Sequence, residues 1–402
     1  MRRALLTILG GLAVTYAVLV TWRQNERAAG LDFYIYFVAG QLAGRADVDN
    51  IYAPEVQARI GEEYYERAQH SGSELRKYDA QRRRRLDNVS SPFLYSTLRW
   101  VSRDYERALT QYHALVMFAF IAGFLLIARV VRLSWASSLF LLAALLLYYR
   151  GFEADLRVGN VNSLQLMMIG VALSVPPILA GVVAGMLLCF KPNFMFVPLL
   201  IVFARIASRD WKRLRLESAG AVLGGAVAIA IGAVTYGWRV WIQWISAANQ
   251  FYHRLQTRAE RNVTPALPWF QECGEWVGYA IAAALIVIAC IAIWIGRRRG
   301  EGNVDPLIAG VAILIYLMSA NVVWLHYMVL VIPIALALSD WRTTAIVALL
   351  ALAAIAEEPF EMLIGVPAAP IESMLITPAF VALFICAIWK LASHRDPAAL
   401  RS

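Results

Sequence analysis

The segment ALLTILGGLAVTYAVLVTW, residues Ala4–Trp22, is an unbroken run of apolar and small residues that follows two arginines. A helix of this length crosses the hydrocarbon core of a bilayer, which takes about 20 apolar residues. Arg2 and Arg3 predict a cytoplasmic amino terminus, because basic residues flank the inner ends of membrane helices. The run is longer than the apolar region of a signal peptide and no small-residue cleavage site follows it. We therefore expect it to remain as the first membrane helix.

Similar apolar blocks recur along the 402-residue chain, which is 60% hydrophobic and 16% charged. Their number and spacing predict an all-α, polytopic integral membrane protein with about 12 transmembrane helices. We expect one domain over 1–402, placed in the cytoplasmic (inner) membrane. The net charge of +9 is concentrated in the predicted inner loops, for example at 209–215, so it follows the charge rule for membrane proteins and indicates no nucleic-acid partner.

Two longer polar segments fall on the predicted outer side. The first, 23–107, is long enough for one or two short surface helices, and we interpret its basic cluster Arg82–Arg85 as a solvated face. The second, 237–276, begins with tryptophans at helical spacing, which predict a helix in the membrane interface with its indoles among the lipid headgroups. These tryptophans are Trp238, Trp241 and Trp244.

The first outer segment contains LDFYIYFVAGQLAG, residues Leu31–Gly44, an aromatic-rich helical run whose only acid is Asp32. Its carboxylate is expected where the chain leaves the bilayer. In that place it either caps the helix or acts as a general base.

Three further polar elements are predicted to lie on the same side as Asp32: the loop Arg150–Asn162, Lys191 and His326. The two apolar segments before Lys191, Ser163–Val175 and Ile178–Phe190, are about 13 residues each. They are too short to cross a bilayer upright, so the loop Lys191–Asn193 that they carry can lie in a cavity. Taken singly, Lys191 could reach the interface with its head group and His326 could be structural. Together they favour a site, since ionisable groups at membrane depth are costly and mark function.

The chemistry of these groups is consistent with transfer from a lipid phosphate. A cationic pocket at the membrane boundary suits a phosphate, and a nearby carboxylate suits removal of a proton from a hydroxyl. The sequence contains no phosphate-binding glycine loop, no metal-spaced His/Cys cluster and no serine nucleophile elbow. We therefore expect no cofactor and no metal.

The motifs LDFYIY (31–36), GNVN (159–162), KP (191–192) and WLHY (324–327) resemble, in order and in topological place, those of glycosyltransferase family 87. The resemblance implies a glycosyltransferase of the GT-C superfamily, with outer-face interfacial helices and a polyprenyl-phosphate-sugar donor. By this resemblance the sugar is mannose and the acceptor is a hydroxyl of a glycolipid or glycan. Asp32 matches the family's general base, while Lys191 and His326 match positions near the donor phosphate.

Further residues complete the predicted site on the extracytoplasmic face. The candidate phosphate ligands are Lys191, His326, Arg150 and Arg157. The candidate substrate contacts are Tyr36, Glu153, Asp155, Asn160, Asn162 and Trp324. Two motifs depart from the family pattern, since Ser91-Pro92-Phe93 stands in place of Tyr-Pro-Pro and GNVN in place of Gly-Gln-x-Asn.

Two other classes remain open from the sequence. A lipid-linked polysaccharide ligase or polymerase also uses basic residues on the outer face, but its large outer loop generally comes late in the chain, whereas here it follows the first helix. A secondary transporter is expected to have a duplicated half and ionisable groups near the midplane of the membrane. The polar groups of this chain cluster at one predicted face.

Overall fold

The computed structural model of the chain describes residues 2–255, 263–265, 269, 273, 274, 276–297, 304–339, 342–356 and 371–393. Within these ranges every regular element is a helix, so the predicted all-α fold is confirmed. The α-helices are α1 (Arg2–Asn25), α2 (Leu31–Gln41), α3 (Pro54–Gln69), α4 (Glu74–Arg82), α5 (Pro92–Thr97), α6 (Tyr105–Val130), α7 (Trp135–Tyr148), α8 (Arg150–Val158), α9 (Asn162–Ser174), α10 (Pro177–Phe190), α11 (Phe196–Ala207), α12 (Trp211–Tyr236), α13 (Val240–Leu255), α14 (Trp276–Arg297), α15 (Asp305–Ser319), α16 (Ile332–Ala337), α17 (Arg342–Ala356) and α18 (Ile371–Ser393). Two 3₁₀ segments span Pro192–Phe194 and Leu325–Val331.

Five of the described helices are long and apolar enough to cross a membrane: α1, α6, α12, α14 and the part of α18 from Ile376 to Ser393. A sixth arises if α7 and α8, which meet at 60°, form one broken span. Shorter apolar helices, among them α9, α10 and α15, lie below the length that crosses alone. The apolar helices thus indicate a membrane protein. The number of about 12 crossings and the GT-C fold stay predictions.

The starts of the long helices are set by polar side chains just before the apolar runs. Asp104 accepts a bond from the backbone N–H of Arg107 at 2.9 Å and begins α6. Asp210 does the same for Arg213 at 3.1 Å and begins α12. Such caps satisfy amides that have no partner within the helix.

Glycines hold α10 and α12 in backbone contact. A Cβ atom added to Gly181 would lie 2.0 Å from the carbonyl oxygen of Glu217, and one added to Gly220 would lie 2.1 Å from that of Ile178. Small residues at a helix–helix interface let the backbones of membrane helices approach closely. Because α10 ends at Phe190, this contact also fixes where Lys191 lies.

A buried network of charges joins α11, α12, α14 and α15 at the predicted inner side. Arg205 is 2% exposed and donates two bonds to Asp305, at 2.8 and 2.6 Å, and two to Glu217, at 3.0 and 3.1 Å. Arg213 donates to Asp305 at 2.8 Å, and Arg297 lies 3.4 Å from Asp305. Removing one member of such a network leaves a buried charge unpaired, which is costly.

The segment 23–107 has more structure than the sequence indicates. It forms α2 to α5, with Ile60 and Leu86 fully buried. Ser91 caps α5 by accepting from the N–H of Leu94 at 3.1 Å, and its hydroxyl donates to the carbonyl of Phe190 at 3.0 Å. The segment therefore packs onto the helices instead of only lying on a surface.

The predicted tryptophan-rich helix forms as α13, but two indoles bond to the protein. Trp241 donates its indole N–H to the carbonyl of Ile229, and Trp244 donates to that of Val89, both at 3.0 Å. Trp238, in the turn before the helix, is 75% exposed. A role among headgroups thus remains for Trp238, while most of 256–275 lies outside the described residues.

Candidate active site

Asp32 lies in the first turn of α2, and its carboxylate is turned toward other elements of the fold. Oδ1 accepts a bond from Nη2 of Arg83 at 2.7 Å, and Oδ2 accepts one from Nδ2 of Asn160 at 2.7 Å. The residue before α2, Gly30, has its N–H bonded by Asp79 at 3.2 Å instead. The side chain of Asp32 is 20% exposed, so a substrate hydroxyl can reach it. These bonds do not match the role of a simple helix cap.

Asn160 joins the carboxylate of Asp32 to the two predicted phosphate ligands. Its Nδ2 lies 3.2 Å from Nε2 of His326, and its Oδ1 accepts a bond from Nζ of Lys191 at 3.4 Å. Its backbone carbonyl accepts from the hydroxyl of Tyr112 at 2.8 Å. Three residues far apart in sequence, Asp32, Lys191 and His326, thus meet around one side-chain amide.

The turn that carries Asn160 requires a glycine. Gly159 ends α8 in the left-handed conformation, with φ of 68°. A Cβ atom there would lie 2.6 Å from Cβ of Phe33. Only glycine combines this conformation with so close an approach. The turn therefore lies directly on the first turn of α2, next to Asp32.

Asp155 and Asn162 form hydrogen bonds that hold the turn of Asn160 and the backbone of His326. Asp155 is fully buried, and its oxygens accept from Nδ2 of Asn162 at 2.9 Å and from the hydroxyl and N–H of Ser163 at 2.6 and 2.9 Å. Nδ2 of Asn162 also donates to the carbonyl of His326 at 3.1 Å. These bonds hold the turn and His326 in place, and the contact of Asp155 and Asn162 with a substrate stays a prediction.

Lys191 and His326 share a tyrosine that the sequence did not single out. Nζ of Lys191 lies 4.5 Å from the ring centroid of Tyr327, within reach of a cation–π contact. The imidazole of His326 stacks on the same ring at 4.9 Å. The 3₁₀ segment that carries both rings, Leu325–Val331, breaks the regular α-helical geometry just before α16. Pro333 has no N–H to donate to the preceding turn, which is consistent with the break.

The expected loop Arg150–Asn162 is largely the helix α8. Phe152 is fully buried, while Glu153 and Arg157 lie on the opposite side, 41% and 63% exposed, and pair with each other at 3.3 Å. Apolar and charged residues on opposite faces are typical of an amphipathic helix. The structure therefore does not bring Arg157 or Glu153 into contact with the Asp32 carboxylate.

The remaining candidates lie close to the site in sequence or in space. Tyr36 is buried one turn after Asp32 in α2. Arg150 begins α8, and Trp324 comes just before the 3₁₀ segment that carries His326. Their contact with a substrate stays a prediction.

Arg83 belongs to the site, although its cluster was interpreted as solvated. Arg84 has that solvated character, since it pairs with Glu62 and the two side chains are 56% and 41% exposed. Arg83 turns inward to Asp32. The signal in the sequence was the four-residue spacing between Asp79 and Arg83, which puts both on one face of a helix.

In the described part of the chain, no three His, Cys, Asp or Glu side chains come together as metal ligands. That transfer needs no metal stays a prediction.

The geometry defines a membrane protein with a carboxylate, an amide, a lysine and a histidine gathered at one site. Residues 92–320 match the model of glycosyltransferase family 87, which is more than half of the chain, and the chain belongs to this family. The match includes Asn160 and Lys191, whereas Asp32, Arg83 and His326 lie outside it. No curated protein and no solved structure matches the chain.

Proposed function

We propose that this glycosyltransferase moves one sugar, most simply mannose, from a polyprenyl phosphate to a hydroxyl of a glycolipid or glycan. The reaction takes place on the extracytoplasmic face of the cytoplasmic membrane and inverts the configuration of the sugar. One observation carries this proposal: the Asp32 carboxylate is joined through Asn160 to Lys191 and His326. A proton acceptor and groups suited to a phosphate thereby lie around one side-chain amide.

In the reaction Asp32 takes the proton of the acceptor hydroxyl. The acceptor oxygen attacks the anomeric carbon from the side opposite the phosphate. The new carbon–oxygen bond forms as the bond from that carbon to the phosphate oxygen breaks. The electron pair leaves with the polyprenyl phosphate, whose charge Lys191 and His326 stabilise. The donor is a substrate and no cofactor takes part.

The Asn160 amide keeps the base and the phosphate ligands apart. A direct ion pair between Lys191 and Asp32 would compete both with the proton and with the phosphate. The 3.4 Å bond from Lys191 to the neutral Asn160 oxygen is long, so little is lost when Lys191 turns to a donor phosphate. A bond from the ammonium group to a phosphate oxygen joins two opposite charges, so it is stronger than the bond to a neutral amide oxygen.

The two cationic candidates on α8 enter the proposal differently. Arg150 remains a candidate phosphate ligand at the start of the helix. Arg157 is not needed, because it is exposed and paired with Glu153.

The test is donor-dependent transfer by the full chain in proteoliposomes. Radiolabelled polyprenyl-phosphate mannose is the donor, and lipids from a strain deleted for this chain supply the acceptor. We expect label in a new glycolipid and release of unlabelled polyprenyl phosphate, both lost in Asp32→Asn. Transfer of a preassembled saccharide in one step would favour a polysaccharide ligase, and solute counterflow without transfer would favour a transporter. Either of these results contradicts the proposal.

A further inference from the structure

Arg83 makes two bonds to the first turn of α2. It follows α4, and its Nε donates to the carbonyl of Leu31 at 3.1 Å while Nη2 donates to Oδ1 of Asp32 at 2.7 Å. One planar guanidinium group therefore bonds the backbone of Leu31 and the side chain of the next residue, Asp32. A planar fork of donors fixes direction as well as distance, which an ammonium group cannot do.

The helix α4, which ends one residue before Arg83, is anchored to the same turn by a second residue. Asp79, one turn earlier on α4, is fully buried and accepts from the N–H of Gly30 at 3.2 Å. The same oxygen of Asp79 accepts from the hydroxyl of Tyr105 on α6. α4 thus holds Gly30, Leu31 and Asp32 along one face, so the position of Arg83 over Asp32 is set by the fold.

Arg83 and Asn160 bind opposite oxygens of the Asp32 carboxylate. With both bonds present, the plane of the carboxylate is fixed. Without Arg83 only the Asn160 side holds, and that side leads to Lys191 through one amide. The carboxylate would then be free to turn toward the ammonium group of Lys191, which attracts it strongly in a poorly hydrated site.

Resting on the function proposed above, we propose that Arg83 is a positioning residue for the general base. It fixes Asp32 in the orientation that receives the acceptor proton and keeps the carboxylate from pairing with Lys191. Arg83 acts through Asp32 and contacts neither the sugar nor the phosphate of the donor.

Its neighbour Arg84 offers a matched control. Arg84 has the same side chain and the next position in the same segment, but it binds Glu62 at the surface. A loss of charge in this segment affects both variants, whereas a loss of contact with Asp32 affects only Arg83.

The experiment compares Arg83→Gln, Arg83→Lys and Arg84→Gln in the full chain, reconstituted with polyprenyl-phosphate mannose. We expect Arg83→Gln to lower kcat about ten- to a hundredfold, the scale for a misplaced catalytic group, with the donor KM within about twofold. Arg83→Lys recovers part of kcat, since one ammonium can bind Oδ1 but not the Leu31 carbonyl as well. Arg84→Gln behaves as wild type. In an Asp32→Asn background, Arg83→Gln lowers the residual rate less than about twofold, because the effect runs through Asp32.

Three results would overturn this role of Arg83: a wild-type kcat in Arg83→Gln, a raised donor KM with unchanged kcat, or an equal loss with and without the Asp32 carboxylate. Arg83→Lys covers the case in which Arg83→Gln does not fold, because a folded Arg83→Lys without any kcat defect also contradicts it. Failure of the proposed function looks different. If the proposed function is wrong, Asp32→Asn itself transfers sugar normally. If Asp32→Asn is inactive but Arg83→Gln is normal, only the role of Arg83 is wrong.

Discussion

The side-chain amide of Asn160 donates to Oδ2 of Asp32 at 2.7 Å, across 128 positions of sequence. The same amide group meets His326 on one side and Lys191 on the other. Asn160 is therefore the residue at which the proposed base and the proposed phosphate ligands are held at a fixed separation.

Asn160→Ala should slow transfer about ten- to a hundredfold, because it removes a bond to a charged carboxylate worth roughly 1.5 to 3 kcal/mol. It also lets Lys191 approach Asp32 directly. The measurement is kcat with saturating donor, together with the thermal midpoint in detergent to exclude unfolding. A folded Asn160→Ala with wild-type kcat would show that the bridge has no part in transfer.

Lys191→Ala should raise the donor KM or lower kcat by about ten- to a hundredfold, since one charged contact to phosphate is lost. Lys77→Ala is the matched control, because Lys77 pairs with the exposed Glu74 away from the Asp32 carboxylate. Initial rates over a range of donor concentrations separate the two variants. Equal kinetics in both would remove Lys191 from the donor site.

The candidate site was predictable in part, and the reason lies in where each residue sits. Asp32, Lys191 and His326 are ionisable groups beside apolar runs, and such residues stand out in a sequence because they are costly there. Arg83 and Asp79 lie in a polar segment where charges are common. Their four-residue spacing places both on one face of a helix, but the contact of that face with α2 depends on how α4 packs, which the spacing does not show.

The fold, like the site, was predictable from the sequence only where local properties determine it. Apolar runs preceded by Asp104 and Asp210 predict helices, because length, hydrophobicity and capping are local properties. The polar residues from Arg150 to Asn162 indicate a loop, but most of the segment forms the helix α8, whose buried face includes Phe152. Tyr327 belongs to the motif WLHY, yet its place between Lys191 and His326 appears only in three dimensions.

The buried charge network predicts a large stability effect far from the proposed site. Asp305→Asn leaves Glu217 to balance both Arg205, which is 2% exposed, and Arg213, and breaking a buried pair costs about 3 to 5 kcal/mol. We expect a lower thermal midpoint in detergent and a lower folded yield. Asp47→Asn, at a pair in which Asp47 is 49% exposed, serves as control. Equal midpoints in the two variants would contradict a stabilising role of the network.

Asp79 predicts a pH dependence of stability. Burial raises the pKa of its carboxyl to about 6, above the usual 3.8. The folded state therefore binds the proton of Asp79 more tightly than the unfolded state does. Protonation of Asp79 stabilises the fold fully below pH 3.8, and this stabilisation is lost as pH rises through about 6. From pH 4 to 7 the wild type should lose roughly 2 to 3 kcal/mol relative to Asp79→Asn, at 1.36 kcal/mol per pKa unit. Thermal midpoints of the two proteins at several pH values measure the difference, and parallel curves would refute it.

Asp32 is the general base of the proposed reaction, and the most direct measurement of this role is the rate of sugar transfer by Asp32→Asn. Asparagine keeps the size of the side chain and an oxygen that accepts from Arg83, but it cannot take the proton. Loss of general-base help costs at least about 10²-fold. We predict that kcat on the native donor and acceptor falls by that factor, while donor binding persists and the variant stays folded in detergent. Transfer by Asp32→Asn at close to the wild-type rate would contradict the account.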